Sequence, residues 1–175
     1  MKRISRKPLL VKGGGVEARE REAFRISVRK ARDGDLRAIV KMSAGVEEIE
    51  NYPGQKMKAD DFRHFIGGVD AVMLVATVPQ SRRPGERVVG YVTIYRSENY
   101  FYLPYAVVEK RWRRRGIGNA LLTEVERLAK KKKVEYILMS VYAYNSGVHT
   151  LLRARGYVPS KRLIQYSKIV TRKGK

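Results

Sequence analysis

Three consecutive arginines, Arg113, Arg114 and Arg115, run directly into Gly116-Ile117-Gly118 and then into NALLTEVERLAKK. Two glycines let a backbone turn tightly and approach a ligand with no Cβ in the way. If a helix starts at once, its first N–H groups have no internal partners and point into the turn. Pyrophosphate is the kind of anion such a turn holds, and guanidinium forks suit its oxygens. Other glycine-rich phosphate motifs fit poorly. The dinucleotide fingerprint needs a third small residue where Leu121 stands, and no GxxxxGK[ST] is present.

Metal chemistry has little to draw on. The chain has no cysteine, and its only histidines, His64 and His149, are too few and too far apart in sequence for a cluster, so no metal is expected. His64 reads as an ordinary surface side chain. Charge is the dominant bulk property: 38 Lys and Arg against 17 Asp and Glu give a formal +21. Anionic partners follow from that field, and RNA, ribosomes, acidic proteins and phosphorylated cofactors all satisfy it. The absence of a long apolar run argues against a membrane span, and a cytoplasmic location is expected.

The elements that must position the cradle can be read from periodicity. Residues 1–22 combine cations with Gly13-Gly14-Gly15 and are expected to form a basic arm, residues 23–170 a single domain, and 171–175 a basic tail. FRISVRKA alternates as a strand, and Leu36, Ile39, Val40 and Val46 continue with helical spacing. ADDFRHFIGG has the acidic start and glycine end of a short helix. Three strands, Ala71–Val78, Glu86–Tyr95 and Tyr100–Val108, predict an antiparallel meander. A helix from about Gly116 closes at Lys130 to Lys133, where cations suit the dipole. VEYILMSV (Val134 to Val141) reads as a strand covered on both faces, reached by a right-handed parallel crossover. A short helix over about Gly147 to Ala154 and a last strand, Leu163 to Val170, complete a mixed α/β domain.

VEKRWRRRGIGNALL, from Val108, resembles the signature of the GNAT N-acetyltransferases, V-x-x-x-x-R-x-x-G-x-G before a leucine-rich helix, with Arg113, Gly116 and Gly118 on the fixed positions. VRKARDGDLRAIVKM, VVGYVTI and SVYAYNSGVHTLLRARGY are similar to the family's other segments in the same order. The resemblance implies the GNAT fold: an antiparallel meander, then a β-α-β parallel crossover, with the central strands splayed. It implies acetyl-CoA as co-substrate. Ala106, Val107 and Val108 would hold the pantetheine arm through the backbone, and Asn145 would lie near it. Arg113, Arg114, Arg115, Gly116, Ile117 and Gly118 would hold the pyrophosphate.

Against the family pattern, Leu152 stands where many members have a general-acid tyrosine, and Ser140 and Tyr102 stand where different branches have a glutamate. The candidate catalytic residues are then Tyr142, whose phenol can protonate a leaving thiolate, and Ser140, which shares its strand parity. Tyr105, Tyr144, Glu47, Glu48 and Glu50 are further candidates for proton handling. A protein N-terminal α-amine or a lysine is the expected acceptor, with an acidic surrounding sequence. The other reading is a GNAT-fold module that docks on RNA or the ribosome through its basic surface.

Overall fold

The computed structural model of the protein describes residues 25–44, 46, 56–80 and 84–160. The expected arm at 1–22, the closing strand over Leu163–Val170, the 171–175 tail and Glu47, Glu48 and Glu50 lie outside the described residues. The chain divides into two compact units, one running to Tyr142 and the other from Ala143.

In the first unit, the alternation of FRISVRKA gives strand β1 (Ser27–Lys30). The chain then turns through Asp33–Asp35 into helix α1 (Leu36–Ser43). Asp35 holds this corner. Its carboxylate accepts the Arg32 N–H at 2.8 Å and both terminal nitrogens of Arg29, at 2.7 and 3.0 Å. Helix α2 (Ala59–Arg63) starts where Asp61 accepts the Lys58 N–H at 2.6 Å. Its apolar residue Phe62 is fully buried.

Strands β2 (Ala71–Pro79) and β3 (Glu86–Arg96) form the long antiparallel centre of the sheet, and β1 pairs on the outer side of β2. Side chains alternate across a strand, so the two faces of β3 meet different helices. On one face Tyr91 packs edge-on to Phe62, with ring centroids 5.7 Å apart. Its hydroxyl lies 2.6 Å from Ser43 Oγ, which also donates to Ile39 O, tying α1 to the sheet. On the other face Gly90 lies under Ile117 and Leu121.

Sequence periodicity predicts one strand from Tyr100 to Val108, but the structure divides it into β4 (Tyr100–Tyr102) and β5 (Ala106–Val108). Pro104 has no N–H for a ladder, and the pairing shifts across it. Three steps along β3 take Tyr95 to Val92, whereas four take Tyr102 to Ala106, so the break holds one extra residue, a β-bulge. Thr93 latches it: its N–H donates to Tyr105 O at 2.9 Å, and its Oγ1 accepts the Tyr105 N–H at 3.0 Å.

Helix α3 (Ile117–Lys132) leads to β6 (Tyr136–Leu138), which pairs parallel with β4 as the crossover predicts. The expectation of a long strand covered on both faces is not met. Only three residues pair, and Tyr136 and Leu138 are 60% and 47% exposed. The bulge explains the shortness, because beyond the bond from the Leu103 N–H to Leu138 O, β5 pairs with β3 rather than with the chain leaving β6. The parallel strands therefore part, leaving an open splay.

The second unit contains helix α4 (Ser146–Ala154). Asn145 caps it by accepting the Val148 N–H through Oδ1 at 3.3 Å. Gly156 ends it at φ 81°, a left-handed conformation that glycine adopts at no steric cost.

Candidate active site

The glycine turn and the helix start lie where the sequence motif puts them. After β5, Lys110–Trp112 make one tight turn, and Gly116, at φ 82° and ψ −1°, is the N-cap of α3. No side chain caps this helix. The N–H groups of Ile117, Gly118 and Asn119 therefore face the turn, with the positive end of the helix dipole behind them. Ile117 contributes its backbone alone, since its side chain is 1% exposed and packs toward Gly90.

The cations of the loop have distinct placements. Arg113 Nε donates to Val108 O at 3.2 Å, tying the loop back to β5. Arg115 stacks its guanidinium over the Trp112 ring, 5.3 Å from the centroid. Arg111 is paired with Glu109 at 2.7 Å, and Glu109 also binds Arg87 at 3.0 Å, so this carboxylate joins β3 to the loop. Arg114 has φ 60°, uncommon for a residue with a Cβ. The uncapped helix, the glycine turn and the arginines suit a diphosphate.

The wall of the splay can be read from the ladder. Glu109 N–H donates to Val89 O and Thr93 N–H to Tyr105 O. Backbone groups alternate along an antiparallel strand, so Val107 turns its N–H and C=O toward Tyr91, while Ala106 and Val108 turn theirs into the splay. Of the three strand residues the sequence singles out, Ala106 and Val108 thus turn polar backbone into the splay, where the Val108 carbonyl also accepts from Arg113 Nε. Val107 is 5% exposed, with its side chain in the core.

Ser140 and Tyr142 lie on the chain that continues from β6, and both are exposed. Asn145 belongs to the second unit, where it caps α4. Leu152 is buried within α4 at 8% exposure. Among the described residues, no group of three or more His, Asp or Glu side chains is placed to hold a metal ion. A hollow of about 420 Å³ bordered by Asp70, Arg96, Glu98 and Lys132 lies at the C-terminal end of α3, the end away from the cradle.

Sequence periodicity missed a cluster of tyrosines beside the bulge. Tyr95 is the cross-strand partner of Tyr102, which is paired in turn with Leu138, so all three share one face. Tyr105 packs edge-on to Phe62, 6.2 Å between centroids. Tyr95 is hydrogen-bonded at 2.9 Å to His64 Nε2, and the two rings stack at 16°. Burial pushes the Tyr95 phenol upward in pKa, and Tyr105 adds to the shift. Burial pushes Tyr91 far above the usual range despite its bond to Ser43, so it stays protonated.

Comparison with known proteins agrees with this geometry. Residues 46–157, well over half of the chain, match the sequence model of the Acetyltransferase (GNAT) family. Among curated proteins no sequence matches the chain. Solved structures share its fold. A possible acetyltransferase from Clostridium difficile 630 is 18% identical, with a TM-score of 0.63 over 82% of this chain and 98% of that one. AAC(6')-Iy, in complex with a bisubstrate analogue of CoA and acetylneamine, is 16% identical, with a TM-score of 0.65 over 82% and 98%. An aminoglycoside acetyltransferase from an uncultured soil metagenomic sample is 16% identical, with a TM-score of 0.62 over 83% and 97%. A glycine-turned helix start beside an open parallel splay, within a sequence that the family model matches, makes this chain a member of the GNAT acetyltransferase family, an N-acetyltransferase with acetyl-CoA as co-substrate.

Proposed function

We propose that the chain acetylates a protein amine, an N-terminal α-amine or a lysine set among acidic residues. The observation that carries this reading is the open face beside the splay, where Tyr95 and Leu138 are 42% and 47% exposed, with Tyr142, 51% exposed, four residues further along the chain. An extended peptide can lie across such a shelf. The formal charge of +21 favours an acidic acceptor and opposes polycations such as aminoglycosides or polyamines.

In this reading the acetyl-CoA diphosphate rests on the N–H groups of Ile117 and Gly118, with Arg113, Arg114 and Arg115 around it and Gly116 making the turn. Ala106 and Val108 hold the pantetheine from one side of the splay. When bound, acetyl-CoA supplies the thioester carbonyl that the amine attacks. Tyr142 supplies the proton for the departing sulfur.

Isotope-labelled acetyl-CoA offered with a panel of acidic and basic peptides, each with a free α-amine and one lysine, and with spermidine and an aminoglycoside, tests the acceptor class by mass spectrometry. Acidic peptides are expected to be labelled fastest, and a Gly116→Glu control to label nothing. Preference for spermidine over every peptide overturns the assignment.

A further inference from the structure

An amine acceptor arrives as an ammonium, which has no lone pair to attack a thioester, so the site needs a group that removes a proton beside the splay. We propose that His64 is that base and that the Tyr95 hydroxyl carries the proton to it. The inference rests on the acetyl-transfer reading but not on the acceptor class, since it serves any amine.

Placement is the first argument. Tyr95 stands directly across from Tyr102, and the next residue, Leu103, makes the bond to Leu138 O at which the parallel strands part. Neighbouring strands are about 4.8 Å apart, so the Tyr95 ring lies one strand away from the apex of the splay. Three residues beyond the apex is Ala106, the first residue of β5, which turns polar backbone into the splay.

His64, though exposed, is also held firmly in place. His64 follows α2, and the next residue, Phe65, is 1% exposed, with its N–H bonded to Phe62 O and its carbonyl accepting the Met73 N–H at 3.0 Å. The His64 ring rests 4.0 Å from Phe65 and stacks on Tyr95. Gly68 closes the turn so tightly that a Cβ there would sit 2.5 Å from His64 O. A side chain left in solvent gains nothing by burial from such placement, yet its Nε2 is aimed at a single phenol. The other histidine of the chain, His149, lies on α4 in the second unit.

The chemistry balances without any further reactant. The ammonium gives a proton to the Tyr95 oxygen as the Tyr95 hydroxyl gives its own to His64 Nε2, leaving a neutral amine, an unchanged phenol and an imidazolium. The amine nitrogen then bonds to the thioester carbonyl carbon, the carbon–sulfur bond breaks with its electron pair on sulfur, Tyr142 gives its proton to that sulfur, and the surplus proton on nitrogen restores the Tyr142 hydroxyl. His64, being exposed, returns its proton to water. Such a relay needs the neutral ring to carry its proton on Nδ1, leaving Nε2 as acceptor.

The test uses the full chain and the amine of the panel above that it acetylates fastest. His64→Gln and Tyr95→Phe should each lower kcat roughly 100-fold, with the acceptor KM within about threefold and calorimetric affinity for acetyl-CoA unchanged. Imidazole added to His64→Ala should restore rate, and the His64 ring nitrogen resonances of the ligand-free protein should shift in Tyr95→Phe. Full kcat in His64→Gln, or no recovery with imidazole, overturns the proposal. If Gly116→Glu and His64→Gln both retain full activity, the site itself is elsewhere, a failure of the broader reading that the two variants separate from failure of the relay.

Discussion

Gly90 and Ile117 are in contact so close that a Cβ on Gly90 would lie 3.0 Å from Ile117 Cγ2. Ile117 is the first residue of α3, and Gly90 pairs with Val108 at the end of β5, so this contact seats the start of the helix on β3, beside the strand that runs into the turn. The turn is thus fixed by the Ile117 side chain packed on a glycine of the strand next to β5.

Gly90→Ala should therefore disturb both fold and site. Its Cβ would also come 3.0 Å from Val107 O, a backbone atom with little room to yield. A cost of about 1–3 kcal/mol is expected in denaturant unfolding, with weaker acetyl-CoA binding by calorimetry because α3 must lift.

Gly116→Glu removes a conformation and adds a repulsion. The φ of 82° costs an L-residue about 1–2 kcal/mol, and a carboxylate would stand where the uncapped N–H groups gather. Acetyl-CoA binding should be lost. Gly116→Ala should retain weakened binding, since it carries the strain without the charge. Equal affinity in wild type and Gly116→Glu would place the diphosphate somewhere other than this turn.

This turn and helix start were legible in the sequence because they are local. Arg113, Gly116 and Gly118 lie within one turn of chain, and their spacing alone encodes a loop followed by a helix start. The helices and the meander were legible for the same reason. The polarity of the splay was not. That Val107 faces the core while Ala106 and Val108 face outward depends on a register with β3, set by a one-residue bulge. Pro104 was the available signal, because proline inside a strand run marks an edge or a bulge. His64 and Tyr95 stand 31 residues apart, on a turn and a strand whose contact no periodicity records. The long buried strand expected over Val134 to Val141 failed through composition, because an apolar run describes side chains without revealing which partner strand will be there to pair.

Tyr142→Phe tests the acid. Tyr142 is 51% exposed, so its hydroxyl can be removed without disturbing the core. The expected outcome is a kcat lowered by roughly 10- to 100-fold, with a thermal melt unchanged. An unaltered rate and pH profile would remove Tyr142 from the reaction.

The corner at Asp35 predicts how stability depends on pH. Burial pushes its carboxyl up, but the Arg29 guanidinium and the Arg32 N–H outweigh it and leave the pKa lowered. A lowered carboxylate pKa stabilises the fold above the unfolded value of about 3.9, and the contribution fades as pH falls through the folded value. Asp35→Asn should cost about 1.5–3 kcal/mol at neutral pH. Its stability should also change less than that of the wild type as pH falls from about 4. Parallel curves for the two proteins in acid would show that Asp35 is not the group responsible.

Thr93→Val tests the bulge without changing side-chain volume much. Thr93 is fully buried, and its Oγ1 is the acceptor for the Tyr105 N–H. Valine leaves that N–H without its partner at the point where β4 gives way to β5, which should cost about 1–3 kcal/mol. The position of the lost bond matters more than its size. The extra residue held there lets β5 return to β3 and lets the parallel strands part, so a loosened bulge should blur the splay. Acetyl-CoA affinity should fall more than in a core variant of equal stability cost, such as Ile39→Val, whose side chain is buried in α1 away from the ladder. Faster amide hydrogen exchange confined to Tyr105 through Val108 in Thr93→Val would locate the effect at the latch. Equal affinity losses in both variants would mean that the splay depends on overall stability rather than on Thr93.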